Sequence, residues 1–257
     1  MFYQGTQLPP PNNRDSPDYC VPVSPPRIKL RDGRFLAYRE KGVPKDQAKH
    51  SIIIELIDEL GIYILQYPNP KRSLKSEALD IEELADQLQI GSKFYVIDVS
   101  MGSYATWSCL NYIPNRLAGV TMIAPVINYQ WPSFPEGLIK EDYRRKLIKC
   151  PAFFNKGDIY ILETIPGLPM LTKDLLREKV SFDTLRGDSM VAFDNWEFDP
   201  LKLSNPFPQN RSSAHIWQGY EDKVVPSQIQ RLVTQKLPWT QKLHIDQDQK
   251  YLYLDLP

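Results

Sequence analysis

Cysteine and histidine are scarce in this 257-residue chain, at three residues each. Cys20, Cys109 and Cys150 are widely spaced and odd in number, which excludes a disulfide framework and a zinc knuckle. That usage suits a reducing compartment, and the expected location is cytoplasmic. Charge of one sign is also missing: 31 Lys and Arg balance 31 Asp and Glu, so nothing draws the chain generally to nucleic acid or to an acidic membrane. No apolar run is long enough to span a bilayer, and Met1-Phe2-Tyr3-Gln4-Gly5 lacks a basic stretch followed by an apolar core. No Walker loop, dinucleotide fingerprint or metal-ligand spacing appears, so neither a cofactor nor a metal is expected.

Hydrophobic residues make up 42% of the chain and aromatics 11%, enough for a folded core. Seven of the 23 prolines fall within residues 1–26, which therefore read as an extended, poorly ordered tail. Two alternating runs around Asp32-Gly33, Arg27 to Leu30 and Phe35 to Glu40, predict a hairpin. Apolar strands follow at Ser51 to Ile54, Ile62 to Tyr67, Lys93 to Ile97, Ala118 to Ala124 and Ser213 to Trp217. Between the first two, Glu55 to Leu60 has a short helical pattern. A longer helix is predicted from Ser73 to Leu88, with Leu74, Ala78, Ile81, Leu84, Ala85 and Leu88 inward and Glu77, Asp80, Glu82 and Glu83 outward.

Strands alternating with helices imply parallel pairing and a doubly wound α/β sheet, its strands covered on both faces. Residues 128–208 break that rhythm and read as a helical cap inserted over the carboxyl edge of the sheet, where ligands bind in such folds. The core is then divided between residues 27–127 and a shorter C-terminal part, residues 209–257.

The most pointed motif is Asp98-Val99-Ser100-Met101-Gly102, lying between an apolar strand and the helix predicted over Gly102 to Leu110. It matches a Gly-x-Ser-x-Gly nucleophile elbow with the first glycine replaced. A turn this sharp forces the serine toward positive φ and lifts its hydroxyl above the sheet, and the N–H of the next residue, Met101, can help to bind an oxyanion. Asp98, in place of glycine, would set a carboxylate beside the oxyanion position. Further on, His215 to Gly219 reads as a strand and Tyr220-Glu221-Asp222-Lys223 as a turn, before a helix opened by Pro226 and Ser227. An acid at such a turn, after the serine in chain order, is where a Ser-acid-His triad keeps its orienting carboxylate, and Asp222 is the candidate.

The chain resembles the plant branch of the α/β-hydrolase superfamily of serine esterases and lipases. Three stretches bear the resemblance: Arg27 to Arg34, Val99-Ser100-Met101-Gly102-Ser103-Tyr104, and Trp217 to Pro226. It implies an α/β-hydrolase fold with Ser100 as nucleophile, Asp222 as triad acid, the Met101 N–H as one oxyanion donor and a small-molecule ester or other apolar ligand as partner. The chain departs from that pattern in several places. The His-Gly loop expected after Ile54 is absent, the cap is shortened around Cys150-Pro151, and Gln247-Asp248-Gln249-Lys250 stands where the histidine turn belongs. The family's final helix is also missing. His50 precedes the sheet and His215 begins a strand before the acid, leaving His244 as the one histidine beyond Asp222, expected inside the last strand. Lys250 is expected to be solvated.

Three readings follow from the sequence. One is a serine hydrolase of carboxylic esters that is weak or inactive, because its histidine and oxyanion loop are lost. Another is a non-catalytic small-molecule binder, and the third is a shortened product with no independent function.

Overall fold

The computed structural model describes residues 26–38, 40–55, 73–126, 128, 130–141, 190–207, 213–219, 222, 225 and 227–245. The tail up to Pro25, the helical pattern at Leu56 to Leu60, the strand expected at Ile62 to Tyr67, most of the cap and residues 246–257 lie outside them.

The first two strands, β1 (Arg27–Lys29) and β2 (Phe35–Ala37), form the expected antiparallel hairpin, with Ile28 opposite Leu36. Gly33 turns it at φ +89, a left-handed conformation that suits a residue without Cβ. Five further strands form one parallel sheet: β3 (Ile52–Glu55), β4 (Phe94–Val99), β5 (Leu117–Ile123), β6 (Ala214–Gly219) and β7 (Thr240–Ile245). They lie side by side in chain order. All five carboxyl ends therefore share one edge.

Helices among the described residues include α1 (Leu74–Gln87), α2 (Ser103–Tyr112), α3 (Glu136–Glu141) and α4 (Ser227–Lys236). Ser73 starts α1 as its N-cap, its hydroxyl accepting the Ser76 N–H at 3.2 Å while the Ser76 hydroxyl oxygen accepts the Ser73 N–H at 2.9 Å. Alternation along β4 buries Phe94, Val96 and Asp98 toward the helices; the register carries that face across Val120 and Met122 to Ala214 and Ile216. One core cluster joins these residues to Leu74, Ala78, Ile81 and Leu84 of α1, Trp107 and Leu110 of α2 and Ile229 and Val233 of α4. The opposite face shows Ile52 and Trp217 exposed and Ile54, Tyr95, Ile97 and Val99 half-buried among the described residues. Gly119 is needed there, because a Cβ would meet the Tyr95 ring at 3.1 Å.

The outward placement of all four acids on α1 is corrected. Glu77 is fully buried and Asp80 is 5% exposed. Asp80 is drawn inward by Arg34 of the hairpin turn, whose guanidinium donates two hydrogen bonds of 2.7 Å to its two carboxylate oxygens. Arg34 also donates to Asp32 at 2.5 Å, so one cation fastens the hairpin to α1. Helical spacing cannot reveal this, because the partner lies 46 residues earlier. On the last turns of α1, Arg116 pairs with Asp86 at 2.8 Å and Glu82 at 3.2 Å and lies over the Phe94 ring.

Removing one member of the largely buried pair strands a carboxylate in the core. Arg34→Ala is expected to lower the unfolding free energy by about 2 to 3 kcal/mol in urea titrations. A loss below about 0.5 kcal/mol would mean that the pair does not fasten the hairpin.

Candidate active site

The motif over residues 98–102 folds as the sequence predicts. β4 ends at Val99, a single 3-10 turn covers Ser100–Gly102, and α2 begins at Ser103. Ser100 has φ +53, a left-handed conformation that costs a serine about 1 kcal/mol or more. The N–H of Val126 donates to the Ser100 carbonyl at 3.1 Å, and the Ser103 N–H donates to it as well. The Val126 bond draws the chain after β5 over the turn, where Ala124, also left-handed at φ +45, donates its N–H to the Trp217 carbonyl at 2.8 Å. Gly102 is buried at the start of α2. Among the described residues no side chain hydrogen-bonds the half-buried Ser100 hydroxyl.

The Asp98 carboxyl does not sit at the oxyanion position. It shares the inner face of β4 with Phe94 and Val96, is fully buried and accepts a hydrogen bond from the Thr106 hydroxyl of α2 through Oδ2. Among the described residues its Oδ1 has no hydrogen-bond partner. Burial raises its pKa from the ordinary 3.8 to about 7, against the opposing pull of the Thr106 hydroxyl and N–H and of the chain's amino terminus.

Asp222 follows β6 by three residues. Its Oδ1 accepts the Val225 N–H at 2.9 Å and its Oδ2 accepts the Gln218 side-chain amide at 2.8 Å. The same Gln218 nitrogen donates to the Val225 carbonyl at 2.9 Å. Gln218, which sequence reasoning missed, therefore closes the turn that holds the candidate acid. Alternation along β6 places it inward and fully buried, an unusual site for an amide and the signal that could have found it.

β4 and β6 are separated by β5, so Ser100 and Asp222 stand on one edge two strands apart, about 10 Å by sheet spacing. His244 falls inside β7, paired in register with Gln218, and its side chain lies outside the described residues, as does Lys250. His215 pairs with Thr121 low on β6, and its Nε2 shares a hydrogen bond with the Ser213 hydroxyl. His50 precedes β3 at the amino edge, with its ring against Tyr95 at 5.5 Å. The described geometry brings the serine and the acid to the same edge and keeps His50 and His215 away from it.

Comparison with solved structures agrees with this architecture. The chain is similar to a thermophilic esterase from Thermogutta terrifontis, with 17% identity and a TM-score of 0.56 over 87% of this chain and 90% of that one. It is also similar to an esterase from Exiguobacterium antarcticum, with 12% identity and a TM-score of 0.62 over 87% and 91%. An enol-lactonase from Burkholderia xenovorans matches at 14% identity and a TM-score of 0.56 over 86% and 91%. The fold is that of the α/β-hydrolases. No protein-family model matches the sequence, and no curated protein does. Among the described residues no helix is long and apolar enough to cross a membrane.

The Asp98 carboxyl binds its proton more tightly in the folded chain than in the unfolded one. Folding then takes up a proton between about pH 4 and pH 7, so stability falls as pH rises through that window and is flat above it. Asp98→Asn, which cannot ionise, is expected to raise the melting temperature at pH 8 by several degrees and at pH 4.5 by little. An equal shift at both values would contradict a buried, proton-holding Asp98.

Proposed function

We propose that this protein is a serine hydrolase of carboxylic esters whose turnover is slow because activation of the nucleophile is weak. The observation that carries this reading is the left-handed Ser100 on a strand-turn-helix elbow at the carboxyl end of β4. In this reading Ser100 Oγ attacks the ester carbonyl carbon and the Met101 N–H stabilises the oxyanion. The Oγ proton passes to the base and from it to the alcohol expelled when that intermediate collapses; water then attacks the acyl-serine, giving up a proton that restores the Ser100 hydroxyl as the acid leaves. Asp222 is the triad acid, held by Gln218 and Val225.

His244 takes the role of base, and its position within β7 rather than beyond it makes it a poor one. Without a well-placed base a serine hydroxyl is a weak nucleophile at neutral pH, although oxyanion binding alone leaves some catalysis over water. Residues 128–208 serve as the cap over the site, residues 1–26 as a tail, and residues 27–127 with 209–257 as the core. The cytoplasm remains the proposed location.

A second reading, a small-molecule binder that keeps the elbow without the chemistry, is favoured by one observation: the Ser100 hydroxyl has no side-chain partner among the described residues.

The test is covalent labelling by a fluorophosphonate, with turnover of a p-nitrophenyl ester measured alongside. Slow modification at Ser100, abolished in Ser100→Ala, is expected. His244→Ala should slow it less than about tenfold, whereas an efficient triad would lose about 10⁴-fold or more. No labelling and no turnover in a sharply melting protein would remove the hydrolase reading. Apolar ligands that then raise the melting temperature equally in the wild type and Ser100→Ala would establish the binder.

A further inference from the structure

The hydrolytic scheme makes no use of Asp98, yet this carboxyl is placed to control the elbow. It lies two residues before Ser100 and is tied to Thr106, six residues after it, so that one hydrogen bond spans the whole turn from the end of β4 to the first turns of α2. Asp98 is 0% exposed, and the unpartnered Oδ1 leaves half of any negative charge without a donor. An anion in that position is costly, whereas a neutral carboxyl is far less so.

Among the described residues the surrounding elements offer no side-chain cation to offset the charge, and the pull of the chain's amino terminus toward the anion is outweighed by burial. The backbone register sets β3 residue Glu55 on one side of Asp98 and β5 residue Met122 on the other. Among titratable groups α2 supplies Tyr104, Cys109 and Tyr112. Lysine, arginine and histidine are absent from β3, β4, the turn, α2 and β5. Asp80 illustrates the contrast, because it too is buried but lies between the two arms of the Arg34 guanidinium. The helix N-terminus favours the Asp98 anion through the Thr106 N–H, and that donor is outweighed by burial.

We propose that Asp98 is a positioning residue whose proton decides how firmly the Ser100 turn is held. When neutral, the carboxyl stays packed between β4 and α2 and the left-handed Ser100 is fixed from both sides. When its proton passes to solvent, the buried anion pushes the strand end and the helix apart, and the serine relaxes from its strained conformation. The consequence for reactivity rests on the reading of Ser100 as nucleophile, whereas the loosening of the turn does not. The direction is distinctive: Ser100 reactivity would be held back as the pH rises past neutrality, while a histidine base alone would raise it over the same range.

Amide hydrogen exchange over residues 100–106 tests the turn, and the fluorophosphonate labelling rate tests the serine, each at pH 5.5 and 8.5 in the wild type and Asp98→Asn. After division by the intrinsic chemical rates, exchange in the wild type should exceed that in the variant at least fivefold at pH 8.5 and match it at pH 5.5. Labelling of the variant relative to the wild type should rise at least threefold over the same interval. Equal ratios at both values would overturn the proposal. If neither protein is labelled, the hydrolase reading fails while the exchange comparison still decides the role of Asp98. Should the variant not fold, the wild type alone suffices: corrected exchange at 100–106 should rise at least fivefold from pH 5.5 to 8.5 with residues 227–236 of α4 unchanged, and a parallel rise in both segments would refute the proposal.

Discussion

A serine backbone held at φ +53 depends on its two flanks being immovable. β4 supplies one flank, hydrogen-bonded on both sides by β3 and β5 with Phe94 and Val96 locked into the core. α2 supplies the other, with every residue from Ser103 to Leu110 buried and the Ser108 hydroxyl bonded to the Leu74 carbonyl of α1. A strained residue persists only where its surroundings over-determine it. Much of the described structure can be understood as that surrounding: the parallel sheet brings the turn to its carboxyl edge, α1 and α2 press on one face, and the loop after β5 bonds to the Ser100 carbonyl.

Buried and half-buried carboxylates divide the structure into two kinds of place. Asp80 and Asp222 have donors on both oxygens, Asp80 from Arg34 and Asp222 from Val225 and Gln218, and each fastens one segment to another. Among the described residues Asp98 has a donor on one oxygen alone. The first kind adds order, although burial also raises the Asp80 pKa to about 6 against the pull of Arg34; the second places a half-satisfied, proton-sensitive group beneath the turn that would carry the nucleophile. Satisfied and half-satisfied polar groups in one core therefore have different consequences for the same edge of the sheet.

The hairpin, the strands at β3 to β6 and the elbow were legible because local rules govern them. Short apolar runs at Lys93 to Ile97 and Ala118 to Ala124 specify buried parallel strands, and the need for a tight turn between Val99 and Gly102 predicts the sign of φ at Ser100. Glu77 and Asp80 were misplaced outward because helical spacing treats every acid as a solvent-facing residue, whereas a guanidinium from a distant hairpin draws Asp80 inward. The same limit hid the direction of Asp98, whose side chain follows the pleat of β4 under α2 rather than the motif logic of the turn. Gln218 was unseen because its role depends on the Asp222 turn folding back on the strand that precedes it.

The central claim is that this elbow still presents a nucleophile to an oxyanion donor. A crystal structure of the protein after treatment with a phosphonate ester tests it most directly. The account predicts phosphorus bonded to Ser100 Oγ, with a phosphonyl oxygen about 3 Å from the Met101 N–H. An adduct on another residue, or one whose oxygens point away from Met101, would contradict it.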